Sequence, residues 1–369
     1  MSDTTISAYD GKESMTLGRT GLECAPQDLL SRYERLLDEP RLDWLETHRV
    51  LRRLGSGGQG IVFLSERIGA DGFRLPVALK VFSPGRYGDA ALYDEAMAQM
   101  ADVALRVAQI QQDNLIDVHN VVSLDGVRLM EMEWIDGYDL HKLLTREMFL
   151  RVKERVAPER LEYLDDVIIT DGPSQPKLKP GVAISILRDC LAALSALHRD
   201  GIVHGDVKPS NIMLKCTGNA KLVDIGSAYE WGHGARPRTC TPAYAAPEIL
   251  DGAEGSPRSD LASLGYVLLE MLAGVPPFAG VNDPEELLAA KRGVIERLPE
   301  TLPEDVVCNE LLMNLIAGLI APDPADRFPD AEAADFVEEG AASFHRQLVR
   351  GNLSSEYENE IRLWLQELE

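Results

Sequence analysis

The stretch HGDVKPSNIML, residues 204–214, decides the fold of this chain. It follows a helical apolar pattern ending in LSALHRDGI, and it places an aspartate, a lysine and an asparagine at fixed spacing as Asp206, Lys208 and Asn211. Asp224 follows after the strand-like KLV and opens the triplet DIG. The Asp224 carboxylate and the Asn211 side chain could bind the same divalent ion. Two protein oxygens are enough for this, because Mg²⁺ near a triphosphate takes few of its ligands from protein. The two segments together predict a magnesium site.

Upstream, GSGGQGIV at residues 55–62 lies between two strand-like runs. Glycines let backbone N–H groups approach phosphates without interference from Cβ, although a glycine-rich hairpin turn is at least as common an explanation. The flanking strands argue against a dinucleotide-binding fold, which needs a helix starting at the third glycine. VALK follows at residues 77–80, and a lone lysine of this kind is usually a surface residue. The glycine-rich segment and Lys80 therefore indicate a phosphate-binding site only because they precede residues 204–226 in a fixed order.

The chain changes character along its length. From Arg49 short β-type runs alternate with Gly-rich turns, and one helical pattern, residues 93–111, interrupts them. After Gly137 the apolar residues recur mostly at helical spacing. The clearest helical stripes cover residues 182–199, 261–273, 311–320 and 331–348. Residues 145–181 begin as a helix and then break into TDGPSQPKLKPG, which suits an exposed loop.

In this order the motifs resemble those of the eukaryotic-type (Hanks-type) Ser/Thr protein kinase family, and most of all those of its bacterial members. The resemblance covers residues 49–348. Later motifs that agree are TPAYAAPE at 241–248, SDLASLG at 259–265, GVPPF at 274–278 and DPADR at 323–327. The resemblance implies an α+β, bilobal protein kinase-like fold. Its small β-rich N-lobe with one main helix would span about 49–136, and its larger α-helical C-lobe about 137–348, with 145–181 as an inserted segment.

The resemblance also implies roles for the residues that match. Asp206 would accept or orient the proton of an attacking hydroxyl, and Lys208 would neutralise charge on the γ-phosphate of ATP. Thr241 would hydrogen-bond both of them. The implied metal ligands for Mg²⁺ are Asn211 and Asp224.

On the N-lobe side, Lys80 would bridge the α and β phosphates and be held by Glu95 from the next helix, with Asp94 as the adjacent competitor. Met132 resembles the gatekeeper, and backbone groups of Glu133 and Ile135 would bond adenine. The implied ATP-binding residues are Leu54, Gly55, Ser56, Gly57, Gly58, Gln59, Gly60, Val62, Ala78, Lys80, Met132, Glu133, Ile135 and Met213.

Two positions depart from the family pattern. Gly205 replaces the arginine common before the catalytic aspartate, so this chain cannot make that residue's bidentate contact with a phosphorylated activation segment. Ile225 replaces the usual phenylalanine after Asp224, and an aliphatic side chain can fill the same apolar slot. These changes bear on regulation more than on chemistry.

Two other functions compete with a Ser/Thr protein kinase acting on protein substrates. HGDxxxxN also resembles the catalytic loop of aminoglycoside- and choline-type small-molecule kinases, but Lys208 and the segment 246–248 argue against that class. A pseudokinase scaffold usually lacks one of the key lysine and aspartate positions. Lys80, Asp206 and Asp224 are all present.

Both ends of the chain extend beyond the resemblance. Residues 1–20 are predicted to be mobile, and 21–48 to form a helical extension that reaches Pro40 and continues its docking face at Trp44 and Leu45. Residues 349–369 predict an amphipathic helix whose stripe includes Trp364. That stripe would dock on the chain itself or bind a partner protein.

The formal net charge of -23 disfavours nucleic acid or an anionic membrane as partner, because phosphate binding needs basic patches. The N-terminus lacks the apolar stretch of a signal peptide, and no apolar run approaches the ~20 residues of a membrane span. The five cysteines form no CxxC pair, which fits a reducing, cytoplasmic setting.

Overall fold

The structure, a computed structural model, describes residues 15–17, 27–38, 41–42, 48–232, 238–336, 340–350 and 357–368. Its first seven strands are β1 (Met15–Leu17), β2 (Arg41–Leu42), β3 (His48–Gly57), β4 (Gly60–Ile68), β5 (Arg74–Phe82), β6 (Val118–Leu124) and β7 (Val127–Glu133). Strands β2 to β7 form one antiparallel sheet in the order β2-β3-β4-β5-β7-β6. This sheet is the frame of the N-lobe.

Strand β5 has buried apolar side chains on both faces of the sheet. Val77, Leu79 and Val81 belong to one apolar cluster, whereas Ala78 and Phe82 belong to the main core. Because side chains alternate along a strand, Lys80 lies on the same face as Ala78 and Phe82. The lysine therefore points toward the inner face of the sheet.

Two helices cover the sheet. Helix α1 (Gln27–Asp38) buries Tyr33 and Leu36 in the outer cluster that contains Leu79. Helix α2 (Ala90–Val107) lies on the inner face and begins three residues before the predicted start, because the carboxylate of Asp89 accepts a hydrogen bond from Leu92 N. The predicted docking residues Trp44 and Leu45 lie outside the described residues.

The C-lobe is mainly helical. Its helices are α3 (Leu140–Leu143), α4 (Arg146–Arg155), α5 (Pro158–Val167), α6 (Pro180–Arg199), α7 (Pro247–Leu250), α8 (Pro257–Ala273), α9 (Pro284–Arg292), α10 (Val294–Thr301), α11 (Glu304–Val307), α12 (Glu310–Ile320), α13 (Ala331–Phe336), α14 (Ala341–Arg350) and α15 (Tyr357–Gln366). Its short strands are β8 (Gly137–Asp139), β9 (Ile169–Thr170), β10 (Lys177–Leu178), β11 (Ile202–Val203), β12 (Ile212–Lys215), β13 (Ala220–Leu222), β14 (Tyr229–Glu230) and β15 (Arg238–Cys240). The predicted bilobal α+β fold is confirmed.

Helices α6 and α8 form the centre of the C-lobe, and nearly every residue of α8 is buried. Within the described residues, α6 is the one helix whose length and apolar composition would allow it to cross a membrane. Most of its apolar window is buried against the rest of the lobe, including α8, α13 and α14. Its composition is therefore explained by its place in the core.

The inserted segment differs in part from its prediction. Its helical part is two helices, α4 and α5, and Pro158 stands at the first helical position of the second. The following residues pair as β9 and β10, and Ser174 and Gln175 donate to Gly274 O and Glu270. Part of the predicted exposed loop is therefore anchored to the end of α8.

Helix α15 lies against the C-lobe. Its predicted stripe is buried: Tyr357, Ile361, Trp364, Leu365 and Leu368. Arg155 Nη1 donates to Leu368 O at 2.9 Å, and Arg160 Nε donates to Glu367 Oε1 at 2.6 Å. A Cβ at Gly181 of α6 would overlap with the ring of Tyr357, so a larger residue there would displace that ring.

Two further segments differ from expectation. The predicted helix 331–348 is two helices, α13 and α14, with residues 337–339 between them outside the described residues. Strand β1 lies within the segment predicted to be mobile, yet it pairs with β15 in antiparallel register, Thr16 opposite Thr239. The other residues of 1–20 lie outside the described residues.

Candidate active site

A cleft of about 420 Å³ lies between the two lobes. The glycine-rich turn between β3 and β4 covers it, the segment after β7 closes its back, and residues 206–213 form its floor. All the residues implied as ATP ligands line it: Leu54, Gly55, Ser56, Gly57, Gly58, Gln59, Gly60, Val62, Ala78, Lys80, Met132, Glu133, Ile135 and Met213. Asp206, Lys208, Asn211 and Asp224 line the same space.

The backbone of the catalytic loop is fixed by one buried carboxylate, that of Asp260 on α8. His204 N donates to Asp260 Oδ2 at 2.8 Å and Gly205 N donates to Asp260 Oδ1 at 2.9 Å. Gly205 has φ +76°, and an added Cβ would approach Ser227 O and the Tyr229 ring to 3.0 Å. Glycine is therefore the residue that this tight, left-handed position accommodates without strain.

Asp206 lies at the centre of a buried network. Thr241 Oγ1 donates to Asp206 Oδ1 at 2.8 Å, and Lys208 Nζ lies 2.9 Å from Asp206 Oδ2 and donates to Thr241 Oγ1 at 2.9 Å. Asn211 Nδ2 donates to the carbonyl of Asp206 at 2.8 Å. A carboxylate held in this way beside an ammonium group can accept or orient a hydroxyl proton at a fixed position.

On the N-lobe side, Lys80 contacts two residues. Its Nζ donates to Asp224 Oδ1 and, at 2.6 Å, to Gln59 Oε1. Burial raises the pKa of Asp224, but the charge and hydrogen bond of Lys80 and the N–H of Gly226 outweigh it and lower that pKa to about 2. Asp224 is therefore ionised at neutral pH and is available as an oxygen ligand.

Glu95 is not brought to Lys80. It is exposed on α2, where its Oε1 accepts a hydrogen bond from Gln99 Nε2 at 3.2 Å. The alternative, Asp94, is also exposed and pairs with Arg128 at 3.1 Å. The position of a glutamate along the chain does not determine how the helix is rotated about its axis. Here the apolar residues of α2 decide it and turn both carboxylates outward.

The back of the cleft is held by polar contacts that the sequence did not reveal. Glu133 N donates to Asp117 O at 2.9 Å, and the carboxylate of Glu133 accepts from Lys221 Nζ. Lys221 is buried although it belongs to the short strand β13 of the C-lobe. The amide of Glu133 is therefore already bonded within the protein.

Other residues of the cleft were also missed by sequence reasoning. The additional lining residues are Ile116, Trp134, Asp139, His141, Lys142, Ser210 and Val223. Asp139 caps α3 by accepting from Lys142 N at 2.8 Å, and burial raises its pKa despite that bond. An aspartate directly before an apolar residue such as Leu140 suits an N-cap, but nothing in the sequence placed Asp139 in a cleft.

The segment after Thr241 is anchored to the C-lobe by two buried cations. Arg327 forms a two-pronged pair with Glu248, with both N–O distances 2.7 Å. Lys291 on α9 was not foreseen. It is fully buried, donates to Ala243 O at 2.7 Å, and lies over the rings of Tyr266 and Phe278 at 3.9 and 4.3 Å.

The donors around Asp224 fit a magnesium ion shared with phosphate oxygens. Asn211 uses its amide nitrogen on Asp206, so its side-chain oxygen can serve as a hard ligand beside Asp224. The described residues contain no group of three or more acidic, histidine or cysteine side chains that could hold a metal by themselves. A cation here would complete its coordination with water or with the oxygens of a bound nucleotide.

Comparison with known proteins agrees with this geometry. Residues 48–336 match the protein kinase domain family. Serine/threonine-protein kinase PknD of Mycobacterium tuberculosis (strain CDC 1551 / Oshkosh) is 33% identical over 288 residues, which cover 77% of this chain and 38% of that protein. Serine/threonine-protein kinase PrkC of Bacillus subtilis (strain 168) is 27% identical over 292 residues, covering 77% and 39%.

A third relative is the probable serine/threonine-protein kinase PknB of Lactococcus lactis subsp. lactis (strain IL1403), 25% identical over 291 residues that cover 78% of this chain and 40% of the relative. The chain thus spans about two fifths of the length of these curated relatives. The matched region contains all the residues that line the cleft. The chain belongs to the protein kinase domain family, and its relatives named here are bacterial serine/threonine-protein kinases.

Proposed function

We propose that this chain is a Mg²⁺-dependent Ser/Thr protein kinase that transfers the γ-phosphoryl group of ATP to hydroxyl groups of proteins. The observation that carries the proposal is the buried network of Asp206, Lys208 and Thr241 at the floor of the cleft that also contains Lys80 and Asp224. Phosphoryl transfer needs positioning and charge stabilisation more than covalent chemistry. This network supplies both on one face of the cleft.

Each residue then has a distinct task. Asp206 orients the substrate hydroxyl and accepts its proton as the oxygen attacks phosphorus and the bond from the γ-phosphorus to the ADP oxygen breaks. Lys208 lies 2.9 Å from that carboxylate and neutralises negative charge on the transferred group. Lys80 binds the phosphates that stay on ADP. Asn211 and Asp224 would hold Mg²⁺ together with the nucleotide, and the ion would supply further neutralisation of phosphate charge.

A small-molecule kinase of the aminoglycoside or choline type is the second candidate. Against it stands the segment after Thr241, which the buried Glu248–Arg327 pair and Lys291 attach to the C-lobe beside Asp206. In our proposal this attached segment is the platform on which a substrate polypeptide lies. A pseudokinase scaffold is disfavoured because Lys80, Asp206 and Asp224 all line the cleft.

We propose that the enzyme is of the type that lacks an arginine before the catalytic aspartate and that it is active without phosphorylation of its activation segment. Gly205 has no side chain with which to bind a phosphate, and its neighbours Ser227 and Tyr229 lie too close for a larger residue. Strand β14, which contains Tyr229, already pairs with strand β11, which precedes the catalytic loop. The start of the activation segment therefore has an ordered position that needs no modification.

Helix α15 is proposed to serve the chain itself rather than a partner protein. Its apolar stripe is buried, and Arg155 and Arg160 of the inserted segment bond its C-terminal end. A reducing, cytoplasmic setting is supported by Cys190, Cys240 and Cys308, which are free thiols within the described residues. The negative charge favours protein substrates over nucleic acid or a membrane surface.

The deciding experiment incubates purified protein with labelled ATP and Mg²⁺ in parallel with basic proteins, acidic proteins, aminoglycosides and choline. The matched control is Asp206→Asn, which keeps the size of the side chain and removes its charge. We expect phosphoserine or phosphothreonine on a protein, lost in Asp206→Asn and when EDTA removes the metal. Label only on a small molecule would support the second candidate. Nucleotide binding without transfer to any acceptor would support the scaffold.

A further inference from the structure

Helix α2 has its apolar face toward the core and its carboxylates toward solvent. Tyr93, Met97 and Met100 are buried, whereas Asp94, Glu95 and Asp102 are all exposed. With 100° of rotation per residue, Glu95 lies about 200° from both Tyr93 and Met97, which is the opposite side of the helix. A sideways shift of α2 therefore cannot bring Glu95 to Lys80 unless the helix also rotates.

Rotation of α2 is opposed by specific bonds as well as by apolar burial. Tyr93 Oη donates to Phe82 O at 3.2 Å and accepts from Arg128 N at 2.8 Å. Turning Glu95 inward would break both bonds, remove Tyr93 and Met97 from the core, and separate Asp94 from Arg128. The helix is thus fixed in the orientation that keeps its acids away from the lysine.

Gln59 of the glycine-rich turn occupies the place beside Lys80. Its Oε1 accepts from Lys80 Nζ at 2.6 Å and its Nε2 donates to Ser227 Oγ at 2.6 Å. The side-chain amide of Gln59 also lies close to Gly226. A Cβ added at Gly226 would overlap with Gln59 Oε1 and would lie 2.8 Å from Lys80 Nζ. One side chain therefore links the lysine to the segment that follows Asp224.

The backbone presents Gln59 at a fixed point. Gln59 O accepts from Ser83 N at 2.9 Å, which ties the turn to the end of β5. Gly60, with φ +147°, lies so close to Val81 that an added Cβ would overlap with Val81 O. Lys80 belongs to the same strand, so the amide and the ammonium are carried by one rigid hairpin unit.

We propose that Gln59 is the positioning residue for Lys80 in this enzyme and that no carboxylate of α2 takes part. The amide suits the place because its oxygen accepts from the ammonium while its nitrogen donates to Ser227. It adds no negative charge beside the phosphates. Gln59 therefore fixes where the ammonium group of Lys80 lies without neutralising its charge. This inference rests on the proposed function, since it concerns how ATP is held for transfer.

The test compares Gln59→Met with Glu95→Gln in the full chain. Methionine keeps the length of the side chain and removes both hydrogen bonds, whereas Glu95→Gln removes a charge that we expect to have no role. For each protein we would measure kcat and KM for ATP in protein phosphorylation, and binding of ATP and of adenosine by calorimetry. Adenosine occupies the same apolar pocket but has no phosphates for Lys80 to bind. Melting temperatures check that each variant is folded.

We expect Gln59→Met to lower kcat/KM for ATP about tenfold or more and to weaken ATP binding by a similar factor, because a hydrogen bond to a charged group is lost. Adenosine binding should stay within twofold, which a general disturbance of the fold would not allow. Gln59→Glu, which keeps an acceptor for Lys80, should recover part of the ATP affinity. Glu95→Gln should match the wild type in every measurement.

Two results would overturn the inference. In the first, Glu95→Gln costs as much as Gln59→Met, which would make the helix carboxylate the working partner when nucleotide is bound. In the second, Gln59→Met leaves the ratio of ATP to adenosine affinity unchanged. The binding arms also separate this inference from the proposed function. A wild-type protein that transfers phosphate to no acceptor, but whose ATP-to-adenosine ratio falls in Gln59→Met, would refute the function and keep the role of Gln59.

Discussion

The two sides of the cleft are built in different ways. On the C-lobe side, Asp206, Lys208 and Thr241 bond one another at 2.8–2.9 Å, and Asp260 of the buried helix α8 fixes the backbone beneath them. On the N-lobe side, Lys80 is held by Gln59 from a glycine-rich turn and by Asp224 from the other lobe. The acid–base side is thus set by the core of one lobe, while the phosphate-binding side depends on contacts between residues of both lobes.

The largest expected effect tests the N-lobe side. Lys80→Met should lower kcat by about a hundredfold to a thousandfold, because it removes the cation that stabilises the phosphates, and it should leave the fold intact. Initial rates with saturating Mg·ATP and a melting curve would measure this. Lys153→Met, at an exposed lysine of α4, is the matched control and should stay within twofold. A Lys80→Met enzyme with near-normal kcat would mean that the lysine has no part in transfer.

The next effect tests the C-lobe side. Thr241→Ala should reduce kcat by roughly tenfold to a hundredfold, since the hydroxyl that bridges Asp206 and Lys208 is lost and both groups can then move. Thr241→Ser keeps a hydroxyl and should retain most activity. Steady-state rates of the two variants under one set of conditions make the comparison. Equal rates for alanine and serine would show that the network does not depend on this bridge.

The smallest expected effect concerns regulation. Thr239→Ala and phosphatase treatment should each change activity by less than twofold, because Gly205 offers no arginine for a phosphate on the activation segment to pair with. The measurement is the time course of substrate phosphorylation by dephosphorylated enzyme, which should begin without a lag. If phosphatase silences the enzyme and Thr239→Ala is equally silent, another cation must bind that phosphate.

The sequence anticipated the C-lobe side better than the N-lobe side, for a physical reason. Asp206, Lys208 and Asn211 lie within six residues, so their relative positions follow from one short loop. The partner of Lys80 depends on how helix α2 is turned about its axis, and burial of Tyr93, Met97 and Met100 decides that rotation. A carboxylate at the expected distance along the chain, Glu95, therefore predicted a contact that the packed helix does not make.

The sequence by itself determined the family, the order of the two lobes and most of the residues that line the cleft, because short motifs in a fixed order specify local loops and their chemistry. Tertiary structure alone decided which distant groups meet. It brought Gln59 to Lys80 and Ser227, buried Lys291 beneath the segment at Ala243, and seated the Trp364 stripe against the C-lobe. Such contacts depend on how apolar faces pack, and packing is a property of the whole chain rather than of any one motif.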